Sequence, residues 1–97
     1  MEKRVNLGIQ VLPESDIKGQ YAIIDDAISV IAGSGFKYKV CPFETVVECT
    51  LKEGLALIEK IHDRCRESGA DKMLAYIKIQ ADFYHDVAIG DKMEKYS

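Results

Sequence analysis

The 97-residue sequence predicts an α+β fold, one antiparallel four-stranded sheet with two helices on one face, in the order βαββαβ. Three observations carry this. Four stretches alternate apolar and polar residues with period two, and two others repeat apolar residues at spacings of three and four. Both helical stretches end in Ser-Gly, at Ser34-Gly35 and Ser68-Gly69, and each soon gives way to a strand pattern. The middle of the chain, from Phe36 to Thr50, reads as two strands joined at Cys41-Pro42.

The first strand spans residues 4–12. Val5, Leu7, Ile9 and Val11 face one way, and Asn6, Gly8, Gln10 and Leu12 the other. Pro13 is expected to end it, because proline has no N–H to give a ladder. A loop over 13–19 leads to a helix from about Gln20 to Ala32, with its stripe at Ile24, Ala27, Ile28 and Ile31. Gly33-Ser34-Gly35 stops it, since glycine accepts the left-handed conformation that closes a helix.

Phe36 to Cys41 alternates again, with Lys37 and Lys39 on the polar side. In Phe43 to Thr50 the more apolar face holds Phe43, Thr45, Val47 and Cys49, and the other holds Glu44, Val46, Glu48 and Thr50. Thr50-Leu51-Lys52-Glu53 is a capping box. It opens a helix that runs to about Glu67, with an expected stripe at Leu51, Leu55, Ile58, Ile61, His62 and Cys65. Met73 to Gln80 is the fourth strand. The tail from Ala81 is more polar. A short helix can form over its last eight or so residues, but its apolar stripe is too small to be stable without docking onto something.

The length gives a single domain over 1–97 with one modest core. The net charge of −3 offers no basic footprint for nucleic acid or an anionic membrane. No apolar run approaches the ~20 residues of a membrane span. Met1-Glu2-Lys3-Arg4 leads into a strand pattern rather than a signal peptide, so the expected location is the cytoplasm. Cys41, Cys49 and Cys65 form no C-x-x-C and read as small hydrophobes.

This element order packs as a ferredoxin-like sandwich, with right-handed crossovers placing the first and third strands in the middle. The face away from the helices then carries Asn6, Gly8, Gln10, Glu48, Leu74, Tyr76 and Lys78, too apolar for plain solvent and too polar for a dry core. Such a surface suits a ligand site or a wet interface between subunits.

With these pieces in place, the chain resembles the small thiamine-binding proteins of the ferredoxin-like class. These are related to the thiamine-binding domains of a hydroxymethylpyrimidine-uptake protein. The resemblance covers about residues 4–82. It rests on Leu12-Pro13, on Tyr21 with Ile24-Asp25, on Gly35-Phe36-Lys37-Tyr38, on Pro42-Phe43-Glu44-Thr45-Val46-Val47-Glu48 and on Met73 to Ile79. Cys49 stands where a glycine or other small residue is expected, and Ala81-Asp82-Phe83-Tyr84-His85 is less basic than in many relatives. The resemblance implies binding of thiamine or its pyrimidine half without turnover or cofactor. It also implies a homo-oligomer, a tetramer built from dimers.

Thiamine presents an aminopyrimidine edge, which suits a carboxylate with an amide or hydroxyl, and a cationic thiazolium, which suits an aromatic face. Glu48 is the first candidate for the pyrimidine edge, against a plain salt bridge to Lys78 or Lys37. Gln10 and Asn6 follow on the open face, Tyr76 can stack on a ring or pack an interface, and Lys78 is near. Thr45 alternates onto the helix side unless a bulge near Pro42 re-aims it. His62 on the helix stripe reads as structural. The trio Asp82, His85 and Asp86 lacks tetrahedral metal spacing. No nucleophile with its base appears, so binding is favoured over catalysis. The alternative is a regulatory module sensing an amino acid or other metabolite at a subunit interface.

Overall fold

The computed structural model describes residues 3–16 and 19–90. They form β1 (Arg4–Glu14), α1 (Gln20–Ala32), β2 (Lys37–Val40), β3 (Thr45–Thr50), α2 (Leu51–Glu67) and β4 (Lys72–Gln80). All pairing is antiparallel, in the order β2-β3-β1-β4. Both helices cover one face, as a ferredoxin-like sandwich requires, and β1 and β3 hold the centre.

The core lies between that face and the helices. Leu7, Ile9 and Val11 from β1 meet Val47 and Cys49 from β3, under Ile23, Ala27 and Ile31 of α1 and Leu57, Ile61 and Cys65 of α2. The α1 stripe is therefore turned slightly from expectation: Ile23 is buried, and Ile24 and Ile28 are half-buried at its margin.

The α2 stripe departs further. The buried face is Gly54, Leu57, Ile61 and Cys65, whereas Leu51, Leu55 and His62 are exposed. Gly54 is the reason. A Cβ there would sit 3.2 Å from both Cys49 Sγ and Leu7 Cδ2, so the helix uses its bare backbone to reach the sheet. The leucine at position 55 then swings about 100° away.

Pro13 does not end β1. The strand continues to Glu14, with Pro13 buried and opposite Met73. This is permitted because β3 pairs with β1 only from Arg4 to Ile9, so the rest of β1 is bonded on its β4 side alone. Both stops behave as read. Gly35 has φ 84° and Gly69 φ 110°, values that favour glycine.

The capping box forms as predicted. The Thr50 N–H donates to Glu53 Oε1 at 2.9 Å, and the Glu53 N–H donates to Thr50 Oγ1 at 3.2 Å. After β4 the chain turns back to the start of β1. The Arg4 N–H donates to Asp86 Oδ1 at 2.7 Å, the Val87 N–H donates to the Arg4 carbonyl at 2.9 Å, and Ile89 is buried. The backbone is helical at Ile89 and Gly90. The remainder of the expected C-terminal helix lies outside the described residues.

Candidate functional site

The face away from the helices is built in rows, because antiparallel register sets side chains directly opposite one another. One row runs Lys37, Glu48, Asn6, Gln80 across all four strands. The next runs Lys39, Val46, Gly8, Lys78. Beyond it Gln10 faces Tyr76, and Leu12 faces Leu74.

The first row is chemically unusual. Asn6 is 3% exposed and Glu48 7%, on a face that neither helix covers. Neither the Nδ2 nor the Oδ1 of Asn6 has a hydrogen-bond partner. Leaving such a group dry and unmatched costs about 1–3 kcal/mol. Lys37, across from Glu48, forms no ion pair with it, and Lys78 is engaged elsewhere. The structure thus sets an amide, able to donate and accept, beside an acceptor-rich carboxylate, with no protein partner for the amide.

The second row is closed by Glu44. Its carboxylate lies over Gly8, and Lys78 Nζ meets its Oε2 at 3.1 Å. Gly8 is needed here for close approach: a Cβ would stand 2.8 Å from that oxygen. Alternation along 43–50 puts Glu44 on this face without revealing its role. The bare position at Gly8, across from Lys78, was the available signal.

Thr45 is buried on the helix side, opposite Ile9, with no bulge re-aiming it. It reaches a different feature. Where the β1–β3 pairing stops and β1 runs on, a cavity of 330 Å³ opens between α1 and the β2–β3 turn. Ile9, Val11, Ile24 and Phe43 line it, with Gln10, Glu44 and Thr45 as polar members. Its volume is at the lower end of the roughly 300–1,000 Å³ usual for small-molecule sites. The six candidates therefore divide. Asn6 and Glu48 are neighbours, Gln10 and Tyr76 are neighbours, Lys78 stands between the pairs bound to Glu44, and Gln10 shares the cavity wall with Thr45.

Other titratable groups have local explanations. Asp82 accepts from the Tyr84 and His85 N–H groups at 2.9 and 3.2 Å. These bonds, that to Tyr84 foremost, hold its carboxyl below the usual range. His85 Nδ1 lies 3.4 Å from it. Among the described residues no cluster is arranged to hold a metal ion, and no helix is long and apolar enough to cross a membrane. Burial pushes the Cys49 and Cys65 thiols up.

Fold and site together define a ferredoxin-like domain with a polar row set into an uncovered sheet face. The chain belongs to the thiamine-binding protein family, whose model matches residues 7–97. It is 30% identical over 92 residues to UPF0045 protein CPE1503 of Clostridium perfringens, covering 94% of this chain and 95% of that one. Among solved structures, a domain of unknown function, DUF77, from Bacillus cereus superposes with a TM-score of 0.95 at 31% identity, over 100% of this chain and 93% of the other. A Thermotoga maritima protein named for thiamine biosynthesis or salvage, TM0486, superposes with a TM-score of 0.88 at 26% identity, over 97% and 99%.

Proposed function

We propose that this protein binds thiamine or its hydroxymethylpyrimidine half, without turning it over, as a cytoplasmic homo-oligomer. The observation that carries the reading is the buried, unpartnered amide of Asn6 beside the carboxylate of Glu48. An aminopyrimidine edge alternates ring-nitrogen acceptors with an exocyclic amine donor. A carboxylate takes the amine, and an amide matches the ring nitrogen beside it. Tyr76 and Gln10, further along the same face, are placed to receive the rest of the molecule, the Tyr76 ring meeting the cationic thiazolium. Lys78, held by Glu44, borders the site between them. Thr45 contributes from the cavity wall it shares with Gln10. The family membership and the relative named for thiamine metabolism support the same ligand class.

Thermal shift tests it. Ligand at 100 times its dissociation constant adds about 2.7 kcal/mol of stability. Thiamine or hydroxymethylpyrimidine raises Tm, and Glu48→Gln removes the rise. If neither compound shifts Tm while an amino acid does, the regulatory reading replaces this one. Loss of a thiamine-consuming reaction in Glu48→Gln would instead make the protein an enzyme.

A further inference from the structure

The two helices begin differently. α2 opens on a closed capping box, in which the Thr50 hydroxyl and the Glu53 carboxylate each take an N–H group. α1 opens on Gly19, which has no side chain to cap with, and its first turn holds no acidic residue. The first bond into the helix runs from the Ile23 N–H to the Gly19 carbonyl, at 3.4 Å. Ahead of it, the N–H groups of Gln20, Tyr21 and Ala22 have no acceptor within the helix. They point out of the positive end of the helix dipole, an arrangement that suits an anion.

Water serves such an end where it faces open solvent. Here a second, independent feature stands at the same place. Gln20 and Tyr21 line the 330 Å³ cavity, and Thr45 lines it from the sheet. Thr45 is 5% exposed, and its hydroxyl forms no hydrogen bond among the described residues. A buried hydroxyl left unmatched is unfavourable. The carboxylate of Glu44, also on the cavity wall, is already matched by Lys78 at 3.1 Å. The cavity therefore offers free donors from two sides.

We infer that this cavity takes a phosphate group, with the first-turn N–H groups of α1 and the Thr45 hydroxyl donating to its oxygens. Joined to the ligand class proposed above, on which this step rests, the preferred ligand is the phosphate monoester of thiamine rather than the free alcohol. Gln10 and Glu44 belong to the uncovered face and also line the cavity, so the two are contiguous around the end of the β1–β3 ladder. Asn6 and Gln10 lie roughly 13 Å apart along β1. Two linked rings and a phosphate cover that span, with the pyrimidine at Asn6 and Glu48 and the phosphate in the cavity.

Titration calorimetry on the full chain, with thiamine, thiamine monophosphate and inorganic phosphate, tests this. The monophosphate binds about ten- to a hundredfold tighter than thiamine, the range for hydrogen bonds to a charged group. Gly19→Asp supplies the missing cap together with a negative charge. It fits, because a Cβ at that position meets nothing within 4 Å. Thiamine affinity is unchanged in this variant and the preference for the ester is abolished. Gly19→Ala neither caps nor charges, and keeps the preference. Thr45→Val, which preserves the side chain's shape, weakens the monophosphate more than it weakens thiamine. Inorganic phosphate competes with the monophosphate in the wild type and not in Gly19→Asp. Equal affinity for thiamine and its monophosphate in the wild type overturns the inference. So does a preference that survives Gly19→Asp, one lost equally in Gly19→Ala, or a Thr45→Val protein that loses both compounds alike. If thiamine binds through Glu48 and the monophosphate binds no tighter, this inference falls and the ligand reading stands. If neither thiamine compound binds, but inorganic phosphate raises the Tm of the wild type and not of Gly19→Asp, the anion site stands and the ligand reading falls.

Discussion

Glu44 rests its carboxylate on the bare backbone of Gly8 and from there holds Lys78 at 3.1 Å, tying the β2–β3 turn to the far strand β4 across β1. Gly8→Ala obliges that carboxylate to move. The displaced atoms are the end of a flexible side chain, and Lys78 is largely exposed, so the cost to stability stays below about 1 kcal/mol. A double-mutant cycle with Glu44→Gln and Lys78→Met gives a coupling of about 0.2–1 kcal/mol in the wild type. The coupling disappears in the Gly8→Ala background.

Asn6 presents the opposite balance. Its amide is buried without partners, so Asn6→Val removes an unmatched group of about 1–3 kcal/mol while filling similar space. The unliganded variant melts no lower than the wild type. Its Tm response to thiamine is lost. A clear fall in unliganded Tm would show that the amide serves the fold.

Gly54→Ala is expected to destabilise. Alanine is the better helix former by about 1 kcal/mol. Its methyl would nevertheless lie 3.2 Å from Cys49 Sγ and Leu7 Cδ2, both buried. Overpacking of this kind costs about 1–3 kcal/mol. Urea denaturation should give a net loss of roughly 1 kcal/mol, and Cys49→Ala in the same chain should recover part of it.

The capping box makes stability depend on pH. Hydrogen bonds from the Thr50 backbone, then from its side chain, hold the Glu53 carboxyl below its ordinary value of 4.5. A depressed carboxyl stabilises the fold above its unfolded-state value, and the contribution fades as pH falls through the folded one. Wild type and Glu53→Gln therefore differ most near neutrality and converge as pH falls below 4.5. Melting curves across that range check it. Thr50→Ala costs about 1 kcal/mol at neutral pH.

Thiol reactivity checks the burial of the cysteines. Cys41 is half-buried in the β2–β3 turn, whereas Cys49 and Cys65 are buried. Burial also holds those two thiols protonated. Titration of the native protein with a disulfide reagent modifies Cys41 quickly and the other two only on unfolding.

The fold was legible because alternation, helical spacing and the two Ser-Gly stops all agreed on one element order. What misled was any residue whose packing depends on a neighbouring strand. Pro13 stays in β1 because β3 has already ended beside it, and strand lengths are a tertiary property. Gly54 faces the sheet although glycine carries no hydrophobic signal, which turned the α2 stripe away from Leu51 and Leu55. At the site, alternation placed Asn6 and Glu48 on the uncovered face and Thr45 on the helix side. That Asn6 and Glu48 are buried there, and that Glu44 rather than Glu48 takes Lys78, depends on how far side chains reach across strands. The cavity at the end of β3 had no local trace.

β1 is braced on both flanks from Asn6 to Ile9 and on one flank from Gln10 to Glu14. The 330 Å³ hollow therefore lies beside the stretch of β1 that is bonded on one flank, and Asn6 and Glu48 lie where β1 and β3 are each bonded on both.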